Sequence, residues 1–120
     1  MSIYILTDQK VMQHRITLPQ LKKYDITQKV IEALADTESR AIIFSTIRKG
    51  KTASNLSTSL KIPLSSVYKK LSDLENLTLI RIEKTILSEN GKRFKVYRSR
   101  INKAEISIKK PEPTLTLSAN

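Results

Sequence analysis

Apolar residues in the middle of the chain recur at helical spacing. Leu56 and Leu60 are four positions apart, and Val67, Leu71 and Leu74 fall at positions i, i+4 and i+7. Side chains at these spacings lie on one face of an α-helix. The pattern therefore predicts two helices, each of which turns an aliphatic face towards a core.

The first of these helices is predicted over residues 52–61 and the second over residues 64–76, with a turn at Ile62 and Pro63. Proline suits the first turn of the second helix, because the N–H that it lacks would have no partner there. Beside and opposite its aliphatic face, the second helix carries hydroxyls, ammonium groups and one phenol. These residues are Ser65, Ser66, Tyr68, Lys69, Lys70 and Ser72.

Two more helices are predicted upstream. In the first, Thr27 is expected to be the N-cap and Ala35 to lie near the end, while Val30, Ile31 and Leu34 face inward. The regular spacing of these three aliphatic residues fits a helix with one buried side.

The next helix is expected to begin at Asp36 or Thr37, either of which can act as an N-cap, with Glu38 in its first turn. Gly50 is expected to end it, directly after two basic residues. Its apolar residues surround most of its circumference, so we expect it to be the buried central helix. They are Ala41, Ile42, Ile43, Phe44 and Ile47.

A β-hairpin is predicted after the fourth helix. Ile80, Ile82 and Ile86 alternate with polar residues, which is typical of a half-buried strand. Asn90-Gly91 follows, and this pair is a strong hairpin signal because both positions tolerate a positive φ.

The return strand of the hairpin is predicted over residues 93–101. Its alternation predicts that Phe94 and Val96 face the core and that Tyr97 faces outward. No glycine is left for a phosphate-binding loop, because the only two in the chain are placed at a helix end and at the hairpin tip.

The two ends of the chain carry weaker patterns. Residues 3–6 are a short apolar run that does not separate a strand from a helix. Residues 104–109 alternate weakly and form either a strand that pairs with residues 3–6 or a dimer element. From Lys110 onward the chain has two prolines and few apolar residues, so we expect a flexible tail.

Charge is distributed unevenly along the chain. The net charge is +11, from 22 basic and 11 acidic residues. Residues 38–101 hold 14 Lys and Arg against five Asp and Glu, which gives +9, whereas residues 1–37 and residues 102–120 each carry only +1. A polyanion is the natural partner of the basic segment, and the alternative is a basic surface without a partner.

Several other classes of function find little support. The chain has no cysteine and one histidine, so it lacks the usual ligands of zinc and a cysteine nucleophile. Asp73 and Glu75 are two positions apart, so on a helix they diverge and do not form a catalytic pair. No apolar run approaches the roughly 20 residues that span a bilayer. The short apolar run at residues 3–6 has no basic region before it, so we do not expect it to be a secretory signal. We expect a cytoplasmic protein that is not an enzyme and has no cofactor, metal or membrane partner.

The predicted order, three to four helices followed by a β-hairpin with a basic tip, resembles the winged helix-turn-helix family. The resemblance is closest to the arsenic-repressor-like (ArsR-like) regulators and covers residues 36–101. Its central part is Ser66-Val67-Tyr68-Lys69-Lys70-Leu71, which looks like the family's recognition helix. It leads into Leu79-Ile80 and the Asn90-Gly91 wing. Asn76 and Thr78 stand where the family often has a glycine.

The resemblance implies an α+β winged helix-turn-helix domain, which we place at residues 27–101. Residues 1–26 would be an N-terminal extension and possible dimer element, and residues 102–120 a C-terminal extension ending in the flexible tail. Members of the family are usually homodimeric transcription factors that bind double-stranded DNA. Residues 64–76 would then enter the major groove, and residues 88–95 would contact the backbone or the minor groove.

The candidate DNA-binding residues carry donors suited to phosphates and base edges. Lys69 points most directly outward, and Lys70 lies nearer the core and is expected to reach a phosphate. Tyr68 is equally well explained as cover for the edge of the core, and Ser65 as a helix-start hydroxyl. The full set is Lys51, Ser65, Ser66, Tyr68, Lys69, Lys70, Lys92, Arg93 and Lys95.

Three other points stay open in the sequence. For Arg98 and Arg100 a solvated strand face is the simpler interpretation. Lys51, with its basic neighbours, either touches flanking phosphate or only satisfies the end of the preceding helix. The alternative function is a winged-helix interaction module within a transcription or RNA-processing assembly, which would dock a partner through an apolar patch at residues 101–108 or in the N-terminal arm.

Overall fold

The computed structural model describes the backbone of Ser2–Thr7 and Lys10–Arg15 and the whole of residues 26–120. The helices are α1 (Ile26–Ala35), α2 (Thr37–Ser45), α3 (Ala53–Leu60) and α4 (Leu64–Asn76). The strands are β1 (Ser2–Thr7), β2 (Lys10–Arg15), β3 (Lys51–Thr52), β4 (Ile80–Leu87), β5 (Arg93–Ser99), β6 (Ile101–Ser107) and β7 (Thr114–Ala119). The predicted α+β winged helix-turn-helix is confirmed.

The strands form two sheets. The three-stranded sheet has the order β3-β5-β4 with antiparallel pairing, and its β4–β5 hairpin is the wing. The four-stranded sheet has the order β2-β1-β7-β6, in which β1 pairs parallel with β7 and the other neighbours are antiparallel. The second sheet therefore joins the two ends of the chain.

One aliphatic core holds the helices, the wing and the terminal sheet together. The aliphatic residues predicted for α3 and α4 face this core. At most 1% of the surface is exposed in each of Leu56, Val67, Leu71 and Leu74. Leu115 of β7 is fully buried in the same cluster. The chain thus closes its core with a strand from its C-terminal end.

Helix α1 begins before the predicted cap. Its first described residue is Ile26, so Thr27 lies inside the helix, where its side chain is buried. The Thr27 hydroxyl has no hydrogen-bond partner among the described residues. The prediction that Thr27 is the N-cap was therefore wrong, although Val30 and Leu34 are buried as expected.

Helix α2 begins as predicted and ends early. The Asp36 carboxylate accepts hydrogen bonds from the backbone N–H of Ser39 at 3.0 Å and from its hydroxyl at 2.7 Å. The helix ends at Ser45, because the Thr46 hydroxyl and N–H fold back on the last turn and donate to its carbonyls. The helix is also not buried all round, since Phe44 is 43% exposed.

Gly50 therefore has a different role from the predicted helix stop. A Cβ added there would lie 2.6 Å from Cγ1 of Val96 and 3.0 Å from Oε1 of Glu83. The segment before β3 passes so close to the wing that a side chain would force Val96, a buried residue, to move.

Local hydrogen bonds fix the start of α3, and a residue in the left-handed conformation ends it. At the start of α3 the Thr52 hydroxyl accepts from the N–H of Asn55, and the Asn55 side chain accepts from the N–H of Thr52, so the pair forms a capping box. At its end Lys61 adopts a left-handed conformation with φ 57°. Pro63 precedes the first residue of α4, as predicted.

The turn after α4 is a Schellman motif with threonine at the position that favours glycine. The N–H of Thr78 donates to the carbonyl of Glu75, and the N–H of Leu79 donates to that of Leu74, both at 2.9 Å. Leu74 and Leu79 are both buried. Thr78 has φ 60°, which costs a β-branched residue free energy.

Thr78→Gly is expected to raise the free energy of unfolding by about 1 kcal/mol, because glycine adopts this conformation without a steric cost. Urea denaturation checks the result. Thr58→Gly is the control, since Thr58 is exposed inside α3 and glycine there should lower stability by a few tenths of a kcal/mol. A Thr78→Gly protein that is less stable than the parent would contradict the argument.

The wing contains a bulge that the alternation did not reveal. The β4–β5 register shifts between Ile82 and Lys84, so the residues beyond it change faces. Ile86 is consequently 44% exposed. Tyr97, which was predicted to face outward, is only 7% exposed for a different reason, because its side of β5 lies against α4. Phe94, predicted to face the core, is 38% exposed.

The hairpin turn itself is as predicted. Gly91 has φ 81°, and its N–H donates to the carbonyl of Ser88 at 3.0 Å. The N–H of Ser88 in turn donates to the carbonyl of Lys92 at 2.8 Å. These bonds close the end of the wing.

The predicted flexible tail is a strand from Thr114 onward. In β7 the residues Leu115 and Leu117 alternate with threonine and serine, and both leucines are buried. The strand in residues 104–109 exists as part of β6, but it pairs with β7 rather than with residues 3–6, which pair with β7 on its other side. The rest of the predicted N-terminal extension, residues 1, 8, 9 and 16–25, lies outside the described residues.

Candidate nucleic-acid interface

A cleft between α4 and the wing brings together residues from both. Its volume is about 220 Å³. The lining residues are Thr52, Ala53, Ser54, Tyr68, Arg93, Phe94, Lys95 and Tyr97. The predicted recognition helix and the predicted wing cations therefore share one concave surface, together with the start of α3.

The geometry of β5 places the basic side chains of the wing on the side that lines the cleft. Successive residues of a strand face opposite sides, so Arg93, Lys95 and Tyr97 lie on one side of β5. Tyr97 packs at the base of this side, and burial raises the pKa of its phenol, with smaller contributions from the charges of Glu75 and Tyr68 on α4. Since Tyr97 faces α4, the two cations beyond it project along the same side of the wing.

The outward face of α4 is polar and accessible. Ser65, Lys69 and Ser72 are exposed and fall at i, i+4 and i+7, so they lie in one row along the helix. Tyr68 is 52% exposed and lines the cleft. Its position at the cleft favours the binding interpretation over the interpretation as core cover. Ser66 is half-buried.

Lys70 has a partner within the chain. Its ammonium lies 2.8 Å from Oδ2 of Asp36 and 3.7 Å from Oε1 of Glu38. The hydrogen bond to Asp36 raises the pKa of Lys70. The prediction that Lys70 reaches a phosphate does not fit this geometry, because the contact would compete with an ion pair that ties α4 to the start of α2.

The same ion pair also changes the pKa of Asp36. The hydrogen bond from Lys70, followed by those from Ser39, lowers the pKa of Asp36 to about 2. Because the pKa of Asp36 is lower in the folded than in the unfolded chain, its carboxylate stabilises the fold at pH values above the unfolded-state pKa, which is near 4. This contribution is lost as the pH falls from 4 towards 2. Asp36 is 41% exposed in its side chain, so solvent screening keeps the contribution modest.

Asp36→Ala is expected to lower the free energy of unfolding by about 1 kcal/mol at pH 7, because it removes the N-cap of α2 as well as the ion pair. Asp36→Asn keeps a capping oxygen and should cost less. The difference between the parent and Asp36→Asn should shrink between pH 4 and pH 2, as followed by urea denaturation. A difference that does not depend on pH would contradict the ion pair.

The remaining candidate cations differ in exposure. Lys92, Arg93 and Lys95 are exposed on the wing, and Lys51 is half-buried in β3. Arg98 donates from Nη1 to Glu83 at 2.8 Å and from Nε to the carbonyl of Ile47, so it is half-buried and bonded within the chain rather than on the solvated strand face that was predicted.

Sequence reasoning missed Thr52 and Ser54 as part of the site. Both line the cleft at the start of α3. The sequence did contain an indication of their role. A helix that begins at Thr52 has unpaired backbone N–H groups in its first turn, next to the hydroxyls of Thr52 and Ser54. What the sequence did not show is that the wing folds over this helix end.

A second, larger groove lies between α1 and α4 and has a volume of about 740 Å³. Its polar lining mixes signs, because Glu32, Asp36 and Asp73 stand beside Lys29 and Lys70. Three carboxylates make this groove a poor site for a polyanion. The cleft at the wing has no acidic residue in its lining, so it is the better candidate.

The described part of the chain lacks a cluster of metal-ligating side chains. There, no three or more His, Asp or Glu residues lie close enough together to hold a metal ion. No described helix combines the length and the apolar character that crossing a bilayer requires.

Comparison with known proteins identifies the fold. No family model and no curated protein sequence matches the chain. Among solved structures, the chain is similar to the crystal structure of NolR from Sinorhizobium fredii, with a TM-score of 0.52 and 16% sequence identity. The match covers 72% of this chain and 80% of that one. At this identity the likeness shows that the two chains share the winged-helix fold.

Proposed function

We propose that the protein is a sequence-specific regulator of transcription that binds double-stranded DNA in the cytoplasm. The observation that carries the proposal is the cleft where Tyr68 of α4 meets Arg93 and Lys95 of the wing. A winged helix with basic residues on both parts is suited to place the helix in the major groove and the hairpin on the adjacent backbone or minor groove.

Base readout is assigned to the outward row of α4. Lys69 occupies the middle of the row, with Ser65 and Ser72 one turn to either side. A lysine in the major groove donates to the O6 and N7 acceptors of guanine, and serine hydroxyls bond to several bases. Lys69 is therefore the residue that we expect to contribute most to sequence preference.

Phosphate contacts are assigned to the wing and the start of α3. Lys92, Arg93 and Lys95 are exposed, and none of the residues that line the cleft is acidic and could compete for them. We also assign Lys51 to a contact with a flanking phosphate. Such contacts position the protein and supply affinity that does not depend on sequence.

Lys69→Ala is expected to relax sequence preference with a loss of about 1–3 kcal/mol of discrimination at one base pair per site. The measurement is selection of bound fragments from a random DNA pool, carried out with the parent and the variant. The parent should select a symmetric consensus, because we propose a homodimer on paired half-sites.

Lys92→Ala is the matched control, since it removes a lysine from the wing rather than from α4. It should weaken binding to all sequences alike and leave the consensus unchanged. If the parent enriches no sequence, or if Lys69→Ala leaves the consensus as it was, the assignment of readout to α4 is wrong.

The second candidate function is an interaction module in a larger transcription or RNA-processing assembly. Two exposed isoleucines favour it, since Ile106 is 42% and Ile108 is 75% exposed near the C-terminal end of the chain. Size-exclusion chromatography of the protein from its native cells separates the alternatives. Comigration with another protein supports the module, and a homodimer without other partners supports the regulator.

A further inference from the structure

Strand β6 forms one edge of the four-stranded sheet. It pairs with β7 on one side, and its other side has no strand neighbour among the described residues. From Asn102 to Ser107 every residue except the half-buried Ala104 is exposed. An edge with free N–H and C=O groups is a template for pairing with another strand.

The two faces of β6 differ in character. Ala104 and Ile106 lie opposite Leu117 and Leu115 of β7, so they belong to the apolar face of the sheet. Lys103 and Glu105 point to the other face. Their side chains form an ion pair of 2.8 Å and are each 62% exposed.

This charge pattern is complementary to itself. In an antiparallel pair of identical strands related by a two-fold axis at Ala104, Lys103 of one copy lies opposite Glu105 of the other. The reverse pair forms by symmetry, so four charges of alternating sign meet on the polar face. On the apolar face the small Ala104 side chains meet each other, with Ile106 as their diagonal neighbour.

We propose that β6 pairs with β6 of a second copy, in this register, and joins the two four-stranded sheets into one. The inference rests on the proposed function in one respect, because a regulator that binds two paired half-sites of DNA needs to be a dimer. The charge balance favours the arrangement, because residues 102–120 carry only +1 while residues 38–101 carry +9. Two copies can thus meet through a segment of low net charge, with little repulsion between them.

The test uses charge reversal and sedimentation velocity in the absence of DNA. Lys103→Glu places like charges opposite each other, and so does Glu105→Lys, so each should weaken the dimer about tenfold. The double variant restores opposite charges in reversed order and should dimerise like the parent. Circular dichroism of each variant verifies that these exposed substitutions leave the fold intact.

A cross-link tests the register directly. The natural chain has no cysteine, so Ala104→Cys introduces one thiol per copy. Across the two-fold axis the two Cα atoms would be about 4.5–5.5 Å apart, within the range that a disulfide bridges. Oxidation should yield a covalent dimer, whereas Ile108→Cys, four residues from the axis, should react much more slowly.

A parent protein that sediments as a monomer at micromolar concentration would overturn the inference, as would a dimer that the single reversals leave unchanged or that Ala104→Cys does not cross-link. These results are separate from the fate of the proposed function. A monomer that still binds DNA would contradict the β6 pairing but not the proposed function. A β6-paired dimer that binds no DNA would contradict the proposed function but not the pairing.

Discussion

Replacing Arg93 and Lys95 together by alanine is expected to lower the affinity for duplex DNA about a hundredfold at roughly 0.1 M salt. Each cation that neutralises a phosphate releases condensed counterions, and at this salt concentration the release contributes roughly tenfold per contact. Both residues line the cleft with Tyr68, so both are placed to act in the same complex. Fluorescence anisotropy with a labelled duplex measures the change.

The control is the pair Lys109→Ala and Lys110→Ala, which removes the same amount of charge. Both lysines are exposed and lie beyond β6, outside the basic segment. They should change affinity only slightly, because a charge far from the DNA contributes through a screened field. Equal losses in the two double variants would mean that net charge, and not the cleft, drives binding.

Leu71→Ala is expected to lower the free energy of unfolding by about 2–5 kcal/mol, the largest effect on stability among the changes considered. Leu71 is 1% exposed on the inner face of α4. The substitution removes three buried carbon atoms and leaves a cavity that its neighbours fill only in part. Urea denaturation at constant pH provides the measurement.

Leu64→Ala is the matched change on the same helix. Leu64 is 42% exposed at the first residue of α4, so the same substitution should cost less than about 1 kcal/mol. The comparison tests which side of α4 faces the core. Similar losses at the two positions would contradict the orientation on which the outward row of Ser65 and Lys69 depends.

The sequence was informative where local rules decide the structure. The bounds of α4 follow from Pro63 at its start and from the spacing of Val67, Leu71 and Leu74, and the structure agrees with them. Asp36, one of the two capping residues predicted for α2, is its N-cap, and the Asn90-Gly91 turn was also correct, because both depend on hydrogen bonds within a few residues.

Predictions failed where distant segments meet. Gly50 looked like a helix stop, but its environment is set by Val96 and Glu83 of the wing. Lys70 looked available for a phosphate, but Asp36, 34 positions away, binds it. Tyr97 was predicted to face outward, but the side of β5 that it shares with Arg93 and Lys95 lies against α4 at this point, so its side chain is buried.

The C-terminal strand shows a different limit. Two prolines and the small number of apolar residues suggested a tail without structure, yet Leu115 and Leu117 are buried. Two leucines suffice here because β7 lies between β1 and β6 and is covered on both edges. The burial of a short strand depends on neighbours that its own composition does not reveal.

The central claim is that the face formed by α4 and the wing binds duplex DNA through phosphate neutralisation. Titration of the parent protein with its selected duplex at several salt concentrations tests this claim most directly. If Lys92, Arg93 and Lys95 each contact a phosphate, the logarithm of the association constant should fall with the logarithm of salt concentration with a slope of about −3 or steeper. An affinity that does not change with salt would contradict the account.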